Sequence, residues 1–333
     1  MNPNPLSGAL KIDGEQTIRR ISDELRSVVL KQFHRRGAVV ALSGGIDSSV
    51  VGALCVQAFG SDRVLGLLLP EKDSSDDTLR LSQLIAGHLG IPVICEDITP
   101  VLEAVGCYRR RDEAITSVLP EYRPDFTCKI VLPNLLDSDQ YRLFSVVVRS
   151  PEGRESSARL TSSAYSEIVA ATNFKQRVRK MMEYYHADRL RYAVVGTPNR
   201  QEYDQGFFVK LGDGAADVKP IAHLYKTQVY QLAEDLKLPE EIRRQLPTTD
   251  TYSMEQTQEE FYFSVPYDIF DLCLYGLNHD FPADQVAHHT GLTTSQVQRI
   301  FNDIKNKRRV TRYLHAPPVL VEEVGEIRKK GEP

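Results

Sequence analysis

Residues 38–60, AVVALSGGIDSSVVGALCVQAFG, decide how the chain is organised. Ala38–Leu42 form a short apolar run rich in β-branched residues, which is typical of a buried parallel strand. After Ser49, apolar residues recur at helical spacing until Gly60, a residue type that commonly ends helices. The sequence therefore predicts a strand and a helix, with the loop SGGIDSS (residues 43–49) between them.

The loop has the composition of an anion-binding site. Gly44 and Gly45 allow the backbone to approach a ligand closely and to adopt positive φ angles. Serine hydroxyls and the free amide groups of a helix N-terminus attract anions such as phosphate. Asp47 would repel a phosphate unless a cation lay between them, so the combination indicates phosphate bound with Mg²⁺. The alternative is a simple glycine turn capped by Ser48 or Asp47. The loop matches neither G-x-x-x-x-G-K-[ST] nor G-x-G-x-x-G.

Length and composition exclude several classes of protein. The 333 residues suffice for one large domain or two smaller ones. We expect a cytoplasmic protein without membrane contact, because no apolar run approaches 18 residues and no secretory signal is visible. Five scattered cysteines without a C-x-x-C pair suit a reducing compartment and do not indicate a zinc site. A net charge of −4 does not favour nucleic acid as a partner.

Strand and helix patterns alternate after the loop. Residues 63–69 (RVLGLLL) and 92–95 (PVIC) have the composition of strands, and residues 79–89 between them have helical periodicity. Such alternation predicts right-handed βαβ units in a Rossmann-like, doubly wound parallel sheet. Ligands of these α/β folds bind beyond the carboxyl ends of the strands, where SGGIDSS is expected to lie.

Two regions depart from this pattern. The pattern of residues 106–162 predicts a small β-rich insertion within a domain that spans 1–280. The pattern of residues 281–333 predicts a helical C-terminal extension. This segment resembles a helix-turn-helix, with a glycine turn and a basic second helix. DNA binding by a regulatory protein is therefore an alternative of a different class. The acidic net charge counts against it, and such helix pairs are common as simple packing units.

Six segments, in order, resemble the NAD synthetases of the N-type ATP pyrophosphatase superfamily. The segments are SGGIDSS (43–49), NFKQRVRKMMEYY (173–185), VVGTPNRQE (194–202), GFFVKLGDGAAD (206–217), P-x-x-x-L-Y-K (220–226) and LPTTD (246–250). The motif GDG-x-x-D with an upstream lysine is quite specific for this family, and the ordered set of six segments is far more specific. The resemblance covers about residues 15–280 outside the insertion, and it implies the adenine nucleotide alpha hydrolase-like fold.

The resemblance implies a ligase that makes NAD⁺ from deamido-NAD⁺, ATP and ammonia. In that family the nicotinate carboxylate attacks the α-phosphate of ATP, pyrophosphate leaves, and ammonia converts the NAD-adenylate to NAD⁺ and AMP. Because only 42 residues precede Ser43, no glutamine amidase domain is expected, and ammonia would be free or come from a separate partner protein. The family also implies a homodimer. The alternative is an adenylating, amide-forming relative that acts on a different carboxylate.

Individual residues are implied by the same resemblance. The implied ATP-binding residues are Ser43, Gly44, Gly45, Asp47, Ser48, Ser49, Thr197, Lys226 and Thr248. The implied residues of the deamido-NAD⁺ and ammonia site are Asn173, Arg177, Lys210, Asp213 and Asp217. The implied Mg²⁺ ligands are Asp47 and Glu202, and the implied catalytic residues are Asp213, Lys210 and Lys226. Lys226 and Mg²⁺ would stabilise charge on the phosphates. Asp213 would either deprotonate ammonium or act only as a structural carboxylate.

The long helix predicted over 163–186 carries a basic stretch, formed by Lys175, Arg177, Arg179 and Lys180. Its members either form a solvated helix face or turn a basic surface toward an anionic ligand. The sequence also departs from the family pattern. Leu68 stands where an arginine is frequent, and Val209 stands where threonine is usual.

Overall fold

The structure is a computed structural model, and it describes residues 6, 8–132, 144–245, 251–257, 259–263, 265–322 and 324. Seven strands occur in these residues: β1 (Ala38–Ala41), β2 (Val64–Leu68), β3 (Val93–Cys95), β4 (Thr127–Val131), β5 (Ser145–Arg149), β6 (Glu155–Arg159) and β7 (Ala193–Val194). A parallel sheet with the strand order β3-β2-β1-β7 lies at the centre of the fold. The predicted α/β parallel sheet is therefore confirmed.

Helices cover both faces of this sheet. The described α-helices are α1 (Gly14–Arg26), α2 (Ile46–Phe59), α3 (Asp76–Leu89), α4 (Thr99–Ala104), α5 (Cys107–Thr116), α6 (Ser162–Leu190), α7 (Arg200–Gln205), α8 (Lys226–Asp235), α9 (Glu240–Arg244), α10 (Tyr267–Asn278), α11 (Ala283–Thr290) and α12 (Thr294–His315). Helix α1 continues as a π-helical segment, Ser27–Gln32. None of the described helices is both long and apolar enough to cross a membrane.

Alternation within β1 explains why both faces need cover. Val40 packs into the core shared by α1, α2, α3 and α8, whereas Val39 packs into the core shared by α4, α5 and α6. In β2, Leu68 faces the first core and Leu67 faces the second. All four side chains are almost fully buried, as expected for a parallel sheet between two helical layers. The prediction of a doubly wound sheet is thus confirmed.

The insertion contains less β-structure than the sequence predicts. Its first part forms helix α5, which packs along α6. The predicted antiparallel strands follow in the order β4-β5-β6, so this sheet spans only Thr127–Arg159. Alternating residues of β4 and β5 are buried on one face, where they pack against α6. The polar region between β7 and α8 contains the short helix α7.

The C-terminal helices share a core with the preceding residues. Val286 of α11 and Ile300 of α12 pack with Cys273 of α10 and with Tyr225 at the start of α8. The predicted short helix, glycine turn and long helix are present, and Gly291 has a φ of 70°. The buried apolar residues of this helix pair, from Val286 to Ile304, face the protein's own core. Residues on both sides of position 280 therefore belong to one packed unit.

Candidate active site

The central sheet creates a crevice between the ends of β1 and β7. From β1 the chain moves outward to β2 and β3, and it later returns to place β7 on the other side of β1. Ligands of open α/β sheets bind where the direction of strand order reverses in this way. A cavity of about 400 Å³ lies at this point, lined in part by Ser43 and Ser48 after β1 and by Thr197 and Glu202 after β7.

Loop 43–49 has the geometry expected of an anion site. Gly44 has a φ of 73°, and a Cβ atom there would lie 2.6 Å from the Cβ of Leu81. Only glycine fits this turn without strain. The hydroxyls of Ser43 and Ser48 converge to 3.2 Å of each other beside the N-terminus of α2. Two hydroxyls and the first amides of a helix can therefore meet one anionic group.

Ser49 differs from the other predicted ATP-binding residues. Its hydroxyl is fully buried and donates to the carbonyl of Gly45 at 2.8 Å. The side chain thus ties the first turn of α2 to the loop and does not face the cavity. The sequence could not separate Ser48 from Ser49. Both lie in the first turn of α2, and the direction of each hydroxyl depends on where that helix begins.

Asp47 stands at the centre of a polar cluster formed by the loops after β1 and β7. Its carboxylate accepts hydrogen bonds from Lys226 Nζ and, at 3.1 Å, from Asn199 Nδ2. Asn199 also caps α7, since its Oδ1 accepts from Glu202 N at 3.2 Å, and its own backbone N–H donates to Glu202 Oε2 at 3.1 Å. Burial alone would lower the pKa of Lys226, but the carboxylates of Asp47 and Glu202 raise it. The structure therefore brings together three residues that are separated by up to 179 positions.

The carboxylates of this cluster are candidate ligands for Mg²⁺. Among the described residues, no group of three or more His, Cys, Asp or Glu side chains surrounds a common point. Asp47 and Glu202 nevertheless supply carboxylate oxygens from adjacent loops, and both carboxylates act on the same ammonium group. Mg²⁺ in nucleotide enzymes is commonly held by one or two carboxylates together with phosphate oxygens and waters. The donor chemistry of this pair fits such an ion.

Asp271, which the sequence did not single out, holds Lys226 in place. Its fully buried carboxylate accepts hydrogen bonds from the backbone N–H of Thr227 at 2.8 Å and from Gln201 Nε2 at 2.7 Å. Burial raises the pKa of Asp271 to about 6. The carboxylate thereby joins the start of α8 to α7, so the segments that present Lys226 and Glu202 are fixed to each other.

A second cluster lies deeper in the cavity wall, around Asp213. The carboxylate of Asp213 accepts a hydrogen bond from Val209 N at 2.8 Å, and burial raises its pKa. Glu183 of α6 also lines the cavity and pairs with Lys180 at 2.7 Å. Burial raises the pKa of Glu183, and Asp213 adds to this effect as a second negative charge. Burial and the charge of Lys180 lower the pKa of Lys219 nearby. Two carboxyl groups with raised pKa values thus lie beside a closed site.

Lys210, which the resemblance assigns to the same site as Asp213, does not join this cluster. Its ammonium group donates to the carbonyls of Tyr313 and Ala316, both at 2.9 Å, and lies 4.0 Å from the centre of the Tyr313 ring. These carbonyls belong to the last turn of α12, where a positive charge is favourable. Lys210 therefore anchors the C-terminal helix, a role that depends on residues more than 100 positions away.

The remaining predicted substrate residues are divided between cavity and scaffold. Asn173 lines the cavity together with Asp213. Arg177 is exposed, and its Nε donates to the carbonyl of Lys210 at 3.3 Å. Asp217 accepts from Val194 N at 2.8 Å, so its carboxylate supports the end of β7 and is not turned to a substrate. Thr248 lies outside the described residues.

The basic stretch of α6 is neither a solvated helix face along its whole length nor a single basic surface toward a ligand. Lys175 is almost fully buried, and its ammonium donates to Glu71 at 2.8 Å, Asp73 at 2.6 Å and the carbonyl of Thr251 at 2.9 Å. Burial by itself would raise the pKa of Asp73, but the nearby charges of Lys175 and Arg111 lower it below its ordinary value. This buried network joins the loop after β2 to α5, α6 and residue 251, and so shapes the rim of the cavity.

Aromatic side chains that the sequence did not mark form another wall of the cavity. Phe144, which precedes β5 in the insertion, stacks on Tyr165 of α6 with ring centres 4.3 Å apart. Both rings line the cavity, and Phe207, Tyr252 and Phe261 continue the wall. Flat apolar surface of this kind suits the aromatic part of a ligand. The insertion therefore contributes directly to the site.

Comparison with protein families gives a match that spans most of the chain. A family model described as NAD synthase matches residues 17–118 and 149–312. A protein from Mesorhizobium japonicum named NH(3)-dependent NAD(+) synthetase is 59% identical over 95% of this chain and 99% of its own length. A protein of the same name from Rhizobium meliloti is 57% identical over 96% and 95% of the two chains, respectively. The unmatched residues 119–148 contain β4 and most of β5.

Solved structures share the fold at low sequence identity. An NMN synthetase from Francisella tularensis is 20% identical, with a TM-score of 0.62 over 93% of this chain and 99% of its own. An NH3-dependent NAD synthetase from Campylobacter jejuni is 21% identical, with a TM-score of 0.61 over 94% and 100% of the two chains. These likenesses establish the architecture of the adenine nucleotide alpha hydrolase-like fold.

Proposed function

We infer, because the chain belongs to the NAD synthase family, that it forms NAD⁺ by ATP-dependent amidation of deamido-NAD⁺ with ammonia. The observation that carries this proposal is the convergence of Ser43, Ser48, Glu202 and Asp213 on one cavity at the switch point of the sheet, with Lys226 held against Asp47 beside it. Nothing in the reaction requires a protein nucleophile, since both steps join groups that the protein must bring together.

The first step joins deamido-NAD⁺ to AMP. A carboxylate oxygen of the nicotinate attacks the α-phosphorus of ATP, the bond to the β-phosphate oxygen breaks, and pyrophosphate leaves with the electron pair. Ser43, Ser48 and the N-terminal amides of α2 bind the departing pyrophosphate in this proposal. Lys226, which Asp47 and Asp271 hold in place, offsets the growing negative charge.

We propose Asp47 and Glu202 as the residues that hold Mg²⁺, consistent with their donor chemistry. The ion would supply additional positive charge at the phosphates. The Asp47–Lys226 contact holds one oxygen of the Asp47 carboxylate in a fixed direction. Asn199 holds the other oxygen of the Asp47 carboxylate, and its hydrogen bond with the backbone of α7 fixes the approach of Glu202.

The second step replaces AMP by ammonia at the carbonyl carbon of the adenylate. Asp213 accepts a proton from ammonium or from the nitrogen after attack, and AMP leaves with the electrons of the carbonyl–oxygen bond. A raised pKa makes an aspartate a stronger base than an exposed one, provided that it is ionised at the working pH. Asn173 and Glu183 line the same part of the cavity and are proposed to orient the nicotinate ring.

We propose that the enzyme works as a homodimer in the cytoplasm. Helix α6 exposes Met181 and Tyr185 by 53% and 60%, one turn apart and next to exposed Arg177. Such a stripe beside a substrate site supports a subunit contact there. All five cysteines are unpaired, which supports a reducing compartment. Light scattering should give a dimer for the parent chain and a monomer for Met181→Asp/Tyr185→Asp. A fully active parent monomer at micromolar concentration would contradict this assembly.

A coupled assay tests the proposed reaction. Purified protein with ATP, Mg²⁺, deamido-NAD⁺ and ammonium should produce NAD⁺, AMP and pyrophosphate in equal amounts. Glutamine in place of ammonium should support little turnover, unless a separate amidase is added. Nicotinate mononucleotide serves as the competing carboxylate. A higher kcat/KM for that compound than for deamido-NAD⁺ would assign the enzyme to another substrate, and the lack of ATP cleavage with both would reject the reaction class.

A further inference from the structure

A second cavity lies behind the catalytic residues and shares no lining residue with the first. It has a volume of about 430 Å³ and opens between α1, the start of α7, the start of α8 and the end of α10. Its polar lining includes Arg20, Arg200, His223, Asn278 and His279. Among the described residues that line it, none is an aspartate or a glutamate. The cavity therefore concentrates hydrogen-bond donors and positive charge without a neutralising carboxylate.

The basic side chains in this cavity face one another. Arg20 Nη2 lies 3.2 Å from His223 Nε2, and partial burial together with the charges of Arg20 and Arg200 lowers the pKa of His223. The Nε of Arg200 is buried without a hydrogen-bond partner among the described residues, and the guanidinium lies 5.0 Å from the centre of the Tyr225 ring. Buried polar atoms normally find a partner, so this guanidinium nitrogen is free to donate to an anion bound in the cavity.

The shape of the cavity limits the kind of anion. A volume of about 430 Å³ far exceeds what one phosphate group fills and lies in the range of small-molecule sites. On one side, the ring of His279 stacks flat on Tyr275, with centres 3.9 Å apart. Guanidinium groups match the oxygens of phosphate well, and stacked rings offer a flat surface for an organic group.

We propose that this cavity is a second ligand site, which binds a small phosphate ester through Arg20 and Arg200 while the organic part packs on Tyr275 and His279. The site lies next to the catalytic residues in the chain. Arg200 follows Asn199, and Tyr225 precedes Lys226. The binding proposal does not depend on the identity of the reaction, because it concerns a separate cavity and a separate measurement.

Calorimetry with AMP as the probe tests the proposal. The variant Arg20→Gln/His223→Gln should bind one AMP fewer per chain than the parent, or bind that AMP at least about tenfold more weakly, since charged hydrogen bonds are lost. Arg19→Gln is the matched control. Arg19 is the neighbouring exposed arginine, and it pairs with Glu15 outside the cavity. This variant should match the parent in both stoichiometry and Kd.

Adenosine, which lacks the phosphate, should not bind at the second site. The variant Arg20→Lys keeps the positive charge and should retain part of the affinity. Equal stoichiometry and Kd for the parent and the Arg20→Gln/His223→Gln variant would overturn the proposal. Equal affinity of the site for adenosine and AMP would overturn the assignment to a phosphate ester. Circular dichroism and melting curves identify whether the double variant is folded. If it is not, Arg20→Lys should still bind AMP at the second site more weakly than Arg19→Gln does, and an equal Kd for these two variants would overturn the proposal.

Discussion

The two glycine loops of the site, 43–49 and 206–217, use their polar side chains differently. In loop 43–49, the hydroxyls of Ser43 and Ser48 and the carbonyl of Gly45 bond to one another within the loop. In loop 206–217, Lys210 reaches the end of α12 and Asp217 reaches β7. Serine hydroxyls that bond within their own loop stay near one ligand, whereas charged side chains that bond distant elements are spread over the fold.

The largest expected effect is in the first loop. Asp47→Asn removes a charge that orients Lys226 and is proposed to hold Mg²⁺, so adenylate formation should fall by about 1000-fold. Glu202→Gln should have a similar effect. The two losses should be strongly non-additive, because both carboxylates act on one ion and one lysine. Pyrophosphate release in single turnover measures this step, and melting curves should show that both variants remain folded.

Ser49→Ala is the matched control within the same loop. Its hydroxyl faces the backbone of α2, so the change should lower stability slightly and leave the KM for ATP unchanged. A loss of activity in Ser49→Ala comparable to that in Ser48→Ala would contradict the different directions of these two hydroxyls. Parent-like turnover of Asp47→Asn would remove that residue from the site.

A smaller effect is expected at Asp213, the proposed general base in loop 206–217. Asp213→Asn should slow amidation by about 100-fold, the range of a lost general base, while pyrophosphate is still released. The NAD-adenylate should then accumulate or hydrolyse, which chromatography of quenched reactions can detect. Equal slowing of pyrophosphate release and NAD⁺ formation would place Asp213 in substrate binding alone.

The pH profile adds an independent check on Asp213. A base must be ionised to accept a proton, and burial raises the pKa of this aspartate above its ordinary value of 3.8. Amidation by the parent should therefore fall as the pH decreases through the raised pKa, before an exposed aspartate would be protonated. Asp213→Asn should lack this acid limb. An unchanged limb in the variant would assign it to another group.

The smallest effect on turnover is expected at Lys210. Lys210→Met keeps an unbranched apolar side chain but loses the hydrogen bonds to Tyr313 and Ala316, so unfolding should cost about 1 kcal/mol less. The values of kcat and KM should stay within about twofold of the parent, as expected for a residue that stabilises neither the ground state nor the transition state of the reaction. Thermal unfolding and steady-state kinetics measure the two quantities. A large rise in the KM for deamido-NAD⁺ would restore Lys210 to the substrate site.

Several features could be predicted from the sequence because they depend on neighbours in the chain. The strand before Ser43 and the helix that ends at Gly60 follow from local apolar periodicity and from the freedom of glycine at positive φ. The convergence of Ser43 and Ser48 follows from the same short turn. Even the antiparallel strands of the insertion are marked by alternating residues and a four-residue turn.

Other features were decided only by the tertiary structure. The partners of Lys210 in α12, of Lys175 at Glu71 and of Lys226 at Asp271 are 45 to 106 positions away in the chain. A buried ammonium or carboxylate must be paired, and the available partner depends on which elements the fold brings alongside. The sequence by itself determined the parallel sheet, the strand–loop–helix turn at residues 43–49 and the family. The packing of α6, α10 and α12 against that sheet determined which charges of the motifs face the cavity and which hold the fold together.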